Sequence, residues 1–256
     1  MKNNSKEIDD KYLFNLTRSL DEKIINSGYA VISDSCIKNL ANSARSEYYK
    51  NFTTFNLKPQ TEKFDHLDVQ KKPVRKLAIG SSNGIGNPIA QFLQSTYFGS
   101  NSKDLKALSS LARVMIRLRN YMSDMKFDFG ENPNMDKFWN ASRIHHYPSG
   151  GGFMSRHHDS YFPKVMNDKK IPFLQLILLL SKKGEDFSSG GGYIIPRGER
   201  SELINLEDKY NFGDIIVFDG TIEHGVETID SHLIPDFNSI NGRLSFLVGL
   251  YEVQKS

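Results

Sequence analysis

Residues 143–159 carry the most informative part of this sequence, RIHHYPSGGGFMSRHHD. The stretch ends on His157, His158 and Asp159. In an extended strand, successive side chains point to opposite faces, so His157 and Asp159 share one face and His158 points away. A histidine and a carboxylate two residues apart can bind one metal ion from adjacent positions. The pattern therefore predicts two ligands of a metal site.

A third ligand is predicted at His224, which follows the apolar strand candidate Asp214–Asp219. The intervening chain is long enough for several strands to return His224 to His157. Two histidines and one carboxylate on one side of an ion leave its other positions free, which is the arrangement of non-haem iron(II) oxygenases. Iron needs those positions for a bidentate co-substrate and O₂. The interpretation is an iron(II) site made of His157, Asp159 and His224.

The last strand candidate, RLSFLVGLYEV, begins with Arg243. Arg243 and Ser245 share a face by the same alternation of side chains. A guanidinium group matches a carboxylate with two hydrogen bonds, and a hydroxyl group adds a third. We therefore expect Arg243 and Ser245 to bind the far carboxylate of a keto acid that chelates the metal.

Together these residues resemble the Fe(II)/2-oxoglutarate-dependent dioxygenase superfamily, whose pattern is His-x-Asp, a distant His, and Arg-x-Ser on a final strand. Residues 143–148 are similar to the Arg-x-x-x-Tyr-Pro strand of the isopenicillin N synthase-like branch. Residues 213–226 are similar to the family's Gly-Asp…Phe…His-x-Val segment. The resemblance covers residues 143–253, which is less than half of the chain.

This resemblance implies a double-stranded β-helix (jelly-roll) core, with Fe(II) as cofactor and 2-oxoglutarate and O₂ as co-substrates. It implies that Tyr147 approaches the 2-oxoglutarate. The implied reaction is hydroxylation of an unactivated C–H bond, with release of succinate and CO₂. Halogenases of this superfamily have a small residue in place of the metal carboxylate, so Asp159 favours an oxygen-side outcome such as hydroxylation, desaturation or ring closure.

The two halves of the chain differ in their periodicity. The second half contains short apolar or alternating runs separated by glycine clusters, which predict an antiparallel sandwich or barrel. The predicted strands are 141–147, 173–181, 192–195, 214–219 and 244–253. The first half is predicted to hold helices at 8–25, from Asp34 or Ser35 through Tyr48, and at 103–125, with a short strand at 29–33. The predicted fold class is α+β, with the helices packed on the outer face of the jelly roll.

We expect one oxygenase domain over residues 1–256. In this scheme residues 1–135 form mainly helical support and a lid, and residues 136–256 form the jelly-roll core with the metal site. Residues 51–100 have no clear period and are rich in Lys, Asn, Ser and Gly. They are expected to be a long, partly ordered excursion that covers the site.

Composition calls for no macromolecular or membrane partner. Lysine and arginine number 33 and acidic residues 30, so the charge balance calls for neither nucleic acid nor an anionic membrane. The single cysteine, Cys36, can form neither an internal disulfide nor a cysteine-pair zinc site. The polar residues 1–10 do not resemble a signal peptide, and a cytoplasmic location is expected. The sequence gives no prediction of the oligomeric state.

The first expectation for the substrate is a free amino acid or a small polar natural-product intermediate. Three alternatives remain open from the sequence. One is an oxygenase of the same chemistry that acts on a protein side chain, and another is a metal-binding jelly-roll protein without turnover. The last is a cupin-like hydrolase or isomerase with a different metal, which would have no need of the keto-acid anchor at Arg243.

Overall fold

Two mainly antiparallel sheets form the centre of this protein. The computed structural model describes residues 8–18, 20–54, 57–59, 64–78, 90–159, 174–198 and 202–253. The strands are β1 (Tyr29–Ile32), β2 (Leu57–Pro59), β3 (Val74–Ala78), β4 (Ala90–Gln91), β5 (Leu93–Phe98), β6 (Phe138–Pro148), β7 (Phe153–His157), β8 (Leu174–Leu179), β9 (Gly191–Ile194), β10 (Ile204–Asn205), β11 (Ile215–Asp219), β12 (His224–Glu227) and β13 (Gly242–Glu252).

Seven α-helices and one short 3-10 helix (Phe52–Thr54) accompany these strands in the described ranges. The α-helices are α1 (Asp10–Thr17), α2 (Asp21–Ser27), α3 (Ser35–Asn51), α4 (His66–Lys71), α5 (Lys106–Met122), α6 (Pro133–Asp136) and α7 (Leu206–Lys209). No helix among the described residues combines the length and apolar character that crossing a membrane requires.

The larger sheet has the strand order β1-β11-β8-β13-β6-β5-β3-β2, and the smaller sheet has the order β10-β9-β12-β7-β4. Among the described strands, β2 and β3 are the one parallel pair. β6 and β13 pair along all eleven residues of each strand. This long pair lies in the middle of the larger sheet and holds Tyr147 opposite Arg243.

The larger sheet has two buried faces, one against the helices and one toward the smaller sheet. Leu108, Leu111 and Met115 of α5 are fully buried in a cluster with Ile144 and Phe246 of the sheet. Their spacing of three and four residues is that of one helix face. Burying each such side chain contributes about 1.5–3 kcal/mol. The predicted position of the helices, outside the sheet, is confirmed.

The first predicted helix, residues 8–25, is in fact two helices. α1 ends at Thr17 and α2 begins at Asp21. The hydroxyl of Thr17 donates a hydrogen bond to the Phe14 carbonyl at 2.8 Å. Side-chain hydroxyls compete in this way with the helical backbone pattern. Because the four-residue spacing of apolar side chains continues across the break, the sequence pattern predicted one uninterrupted helix.

Residues 51–100 contain more regular structure than the sequence predicted. β2, β3 and β5 extend the larger sheet beyond β6, and β4 joins the edge of the smaller sheet. β5 is buried on almost every residue and therefore lacks the apolar-polar alternation of a half-exposed strand. The parts of the predicted lid at residues 55–56, 60–63 and 79–89 lie outside the described residues.

His146 is a buried, neutral histidine on the helix side of β6. Its Nε2–H donates to the Asn241 carbonyl at 3.1 Å, and burial lowers its pKa to about 4. The unfolded chain takes up a proton near the ordinary pKa of about 6.5, whereas the folded chain does so only near 4. Lowering the pH from 7 to 5 should therefore reduce the free energy of unfolding by about 2 kcal/mol through this residue.

Urea unfolding of wild type and His146→Gln at several pH values measures this effect. The variant should lose the part of the acid dependence that His146 contributes, while the exposed His232→Gln should keep the wild-type slope. An identical slope in wild type and His146→Gln would show that His146 does not control the acid sensitivity.

Candidate active site

The smaller sheet brings the three predicted metal ligands together. β7 ends at His157, β12 begins at His224, and the two residues are directly opposite in the antiparallel pair. Asp159 follows two residues after His157, and its backbone N–H donates to the Gly220 carbonyl at 3.1 Å. One ligand atom from each of the three residues lies within 4.8 Å of the other two. The Nε2 of His224 is 3.9 Å from the Oδ2 of Asp159.

Backbone carbonyls fix the orientation of both imidazole rings. The Nδ1 of His157 lies 2.7 Å from the Ser155 carbonyl, and the Nδ1 of His224 lies 2.9 Å from the Ile222 carbonyl. Each Nδ1 therefore carries the proton, which leaves each Nε2 lone pair available to a metal. Metal-bound histidines commonly donate their other N–H in this way. Burial and the neighbouring His157 lower the pKa of His224, which favours the neutral, metal-binding form.

Gln175 of β8 orients the third ligand, because its Nε2 donates to the Oδ2 of Asp159 at 2.9 Å. The sequence analysis did not identify this residue. The sequence shows Gln175 within an apolar strand, but its contact with Asp159 depends on how the two sheets pack. His158 is exposed and therefore does not join His157 and Asp159, as the alternation predicted. Two imidazoles and one carboxylate on one side fit iron(II) and leave room for further ligands.

Arg243 lines the same cavity as His157, Asp159 and His224, and its side chain is almost completely buried. Its Nε donates to the Oε1 of Glu207 at 2.5 Å, and its Nη1 lies 3.4 Å from the Oγ of Ser245. The Oε2 of Glu207 accepts the N–H of Gly192 at 2.7 Å. A Cβ on Gly192 would lie 2.3 Å from the Nη2 of Arg243, so the glycine makes room for the guanidinium group. Glu207 pairs with the Nε of Arg243, and Nη1 and Nη2 have no acidic partner among the described residues. These two nitrogens can therefore donate to the carboxylate of a ligand.

Tyr147 lies beside this arginine. Its ring centre is 5.5 Å from the Cζ of Arg243, and its hydroxyl donates to the Sδ of Met154 at 3.9 Å. Burial raises the pKa of Tyr147 to about 12, so the hydroxyl stays protonated and can donate a hydrogen bond. The contact to 2-oxoglutarate predicted for Tyr147 stays a prediction.

One cavity of about 120 Å³ joins the metal ligands to Arg243. Both sheets contribute residues to its wall. Its main polar wall residues outside the metal triad are Arg143, His145, Tyr147, Gln175, Arg243 and Ser245.

The adjacent histidines of β6 have different environments. His146 faces the helices, whereas His145 faces the cavity and its Nε2 accepts a hydrogen bond from the Nε of Arg143 at 3.0 Å. Burial and the charges of Arg143 and Arg243 hold the pKa of His145 well below its ordinary value. His145 is therefore neutral and acts as the acceptor for Arg143.

Glu207 is a residue of the site that the sequence analysis missed. Its side chain and that of Arg243 are each 2% exposed. Removing one partner of a buried ion pair leaves a buried charge without compensation. Glu207→Gln should therefore lower the free energy of unfolding by on the order of 3 kcal/mol, measured by urea denaturation.

The pair of Arg156 and Glu223 provides the matched control, because these side chains are 57% and 43% exposed. Exposed ion pairs contribute little to stability. Glu223→Gln should therefore change stability little. Equal losses in Glu207→Gln and Glu223→Gln would contradict the role of Glu207 as the buried counter-charge of Arg243.

Comparison with known proteins finds likeness in structure rather than in sequence. No family model matches the chain, and no curated protein matches it either. A Pseudomonas putida prolyl-4-hydroxylase is similar in structure with a TM-score of 0.57 and 14% identity, over 95% of this chain and 100% of that chain. A Trichoplax adhaerens prolyl hydroxylase in complex with a peptide fragment of hypoxia inducible factor has a TM-score of 0.54 and 11% identity, over 95% of this chain and 90% of that chain.

These likenesses confirm the predicted α+β jelly-roll fold. The fold is the one that the sequence resemblance to the Fe(II)/2-oxoglutarate dioxygenase superfamily implied. The likenesses do not specify the isopenicillin N synthase-like branch that the sequence of β6 resembles.

Proposed function

We propose that this protein is an iron(II)- and 2-oxoglutarate-dependent oxygenase. One observation carries the proposal: the triad of His157, Asp159 and His224 shares a cavity with the buried Arg243, within a fold like that of prolyl hydroxylases. The triad provides three ligands and an open side. Arg243 provides a donor group for a second carboxylate, which a simple metal-binding or hydrolytic site would not require.

Each side chain has a defined task in this proposal. The Nε2 atoms of His157 and His224 and the carboxylate of Asp159 would hold Fe(II), and Gln175 keeps that carboxylate oriented. Arg243, Ser245 and Tyr147 would bind 2-oxoglutarate. When bound, iron(II) and 2-oxoglutarate supply the oxidising chemistry by which O₂, a substrate C–H bond and 2-oxoglutarate give an alcohol, succinate and CO₂. The protein positions one C–H bond of the substrate and excludes the others.

The proposed substrate is a free amino acid or another small polar molecule. The cavity is enclosed by two sheets and contains polar groups beyond those needed for the metal and 2-oxoglutarate, notably Arg143 and His145. A second candidate, hydroxylation of a protein side chain by the same chemistry, is favoured by the likeness to two prolyl hydroxylases.

A substrate screen separates these possibilities. Protein loaded with Fe(II) would be supplied with 2-oxoglutarate, O₂ and either free amino acids or proline-containing peptides, and succinate release would be measured. Release stimulated by free amino acids supports the first proposal, whereas release stimulated only by peptides supports the second. Binding of 2-oxoglutarate with no O₂ consumption under any condition would favour a metal-binding protein without turnover.

A further inference from the structure

Arg143 places a second guanidinium group in the cavity. Its Nε donates to the Nε2 of His145 at 3.0 Å, and its Nη1 donates to the hydroxyl of Tyr251 at 2.8 Å. Within the described ranges, its Nη2 has no hydrogen-bond partner, and no carboxylate lies within ion-pair distance of the group. Arg243, by contrast, is paired with Glu207. The cavity therefore contains a cation whose charge is not matched by an adjacent acidic group.

A buried arginine without a carboxylate is not by itself a binding site. Arg75 and Arg119 are buried in this way and donate to neutral polar partners such as Gln94 and Asn140, although the Nη1 of Arg119 has no partner among the described residues. Neither of them lines the cavity that contains the metal ligands, whereas Arg143 does. The hydrogen-bond partners of Arg143 are also neutral, and Asp159 acts on it only from beyond ion-pair distance, which leaves an adjacent negative charge to be supplied by a ligand in the cavity.

Arg143 and Arg243 lie at different levels of the cavity. In the pairing of β6 with β13, Arg143 is opposite Leu247, and Tyr147 is opposite Arg243. Arg143 therefore lies four residues along β6 from Tyr147, the residue opposite Arg243. This spacing corresponds to about 13 Å between the backbone positions of Arg143 and Tyr147. Both arginines line the one cavity. Glu207 pairs with Arg243, whereas no acidic group among the described residues pairs with Arg143, so Arg143 is available to a second anionic group.

Arg143 instead lies toward the metal triad. Burial lowers its pKa, but Tyr251, Tyr97 and the charge of Asp159 outweigh burial and raise it, so Arg143 stays cationic. Leu247, which is opposite Arg143, is also opposite Ile177 of β8. Gln175, which donates to Asp159, precedes Ile177 by two residues and shares its face of β8. A ligand bound by Arg143 would thus lie beside the metal site.

We propose that Arg143 binds a carboxylate of the primary substrate, so that the enzyme selects small molecules with a free carboxyl group. This inference rests on the proposed oxygenase function. The Nη2 of Arg143 donates to the carboxylate, and His145 and Tyr251 hold the guanidinium plane in a fixed orientation. A charge-assisted hydrogen bond of this kind discriminates strongly against an uncharged amide of the same shape.

The test uses matched acids and amides as binding probes. Full-length protein would be loaded anaerobically with Fe(II) and saturating 2-oxoglutarate, then titrated calorimetrically with each free L-amino acid and with its carboxamide. Wild type should bind at least one free acid more tightly than its amide by on the order of 100-fold. Arg143→Gln should lose this preference, and Arg143→Lys should retain part of it. Arg75→Gln, which removes a buried arginine outside the cavity, should keep the preference.

The accompanying visible spectrum distinguishes failure of this inference from failure of the proposed function. If wild type shows the charge-transfer band of iron-bound 2-oxoglutarate but binds no free acid, or binds acids and amides equally, the role of Arg143 is wrong and the oxygenase proposal stands. The same conclusion follows if Arg143→Gln keeps the preference. It also follows if Arg143→Gln raises the 2-oxoglutarate concentration needed for the band, since Arg143 would then serve the co-substrate. Absence of the band in wild type would overturn both proposals.

Discussion

His157→Ala is expected to abolish both Fe(II) binding and succinate release while leaving the fold intact. The imidazole at this position is one of the three proposed ligands. Its Nδ1–H donates to the Ser155 carbonyl, so Nε2 is the atom that would bind the metal. The two remaining ligands cannot hold a labile divalent ion at micromolar protein concentration. The measurements are the metal content after loading and gel filtration, the far-UV circular dichroism spectrum, and 2-oxoglutarate turnover.

The neighbouring histidine provides a control within the same strand end. His158 is exposed, so His158→Ala should retain wild-type iron content. Wild-type iron binding by His157→Ala would remove His157 from the metal site. Equal loss in both variants would indicate that the strand end, rather than one ligand, had been disturbed.

Arg243→Met is expected to raise the 2-oxoglutarate concentration required for half-maximal turnover by two to three orders of magnitude. Truncating one partner of a buried, hydrogen-bonded charge pair costs roughly 2–5 kcal/mol, and about 1.4 kcal/mol corresponds to a factor of ten. The measurement is the dependence of succinate release on 2-oxoglutarate at fixed Fe(II) and O₂.

The ion pair with Glu207 complicates the single substitution, because Arg243→Met leaves a buried carboxylate unpaired. A double variant, Arg243→Met with Glu207→Met, removes both charges, and such apolar replacements of buried pairs are often neutral for stability. The double variant should fold and should still require high 2-oxoglutarate. A normal requirement in the folded double variant would mean that another cation holds the co-substrate.

The ligand triad could be predicted from the sequence because strand alternation places His157 and Asp159 on one face and His158 on the other. The same periodicity placed Arg243 and Ser245 on one face of β13, and the structure has both in the cavity wall. These predictions depend on local backbone geometry, which a short stretch of sequence determines.

Glu207 and Gln175 could not be predicted in the same way. Glu207 belongs to a short helix, α7, and meets Arg243 because β9 and β13 bring Gly192 and Arg243 together. In the sequence, Gln175 is a polar residue that interrupts an apolar strand. Its role is evident only from the folded structure, in which β8 brings it to Asp159. β5 was missed for a related reason, since a strand buried on both faces has no alternation to detect. Each case depends on tertiary contacts that local periodicity does not encode.

The most direct test of the central claim is an anaerobic titration of the metal-free protein with Fe(II) and 2-oxoglutarate, followed by visible absorption. We expect a weak charge-transfer band that requires both additions, that is absent in His157→Ala, and that needs far more 2-oxoglutarate in Arg243→Met. A well-folded wild-type protein that binds Fe(II) but develops no band at any 2-oxoglutarate concentration would contradict the claim that this cavity is a 2-oxoglutarate oxygenase site.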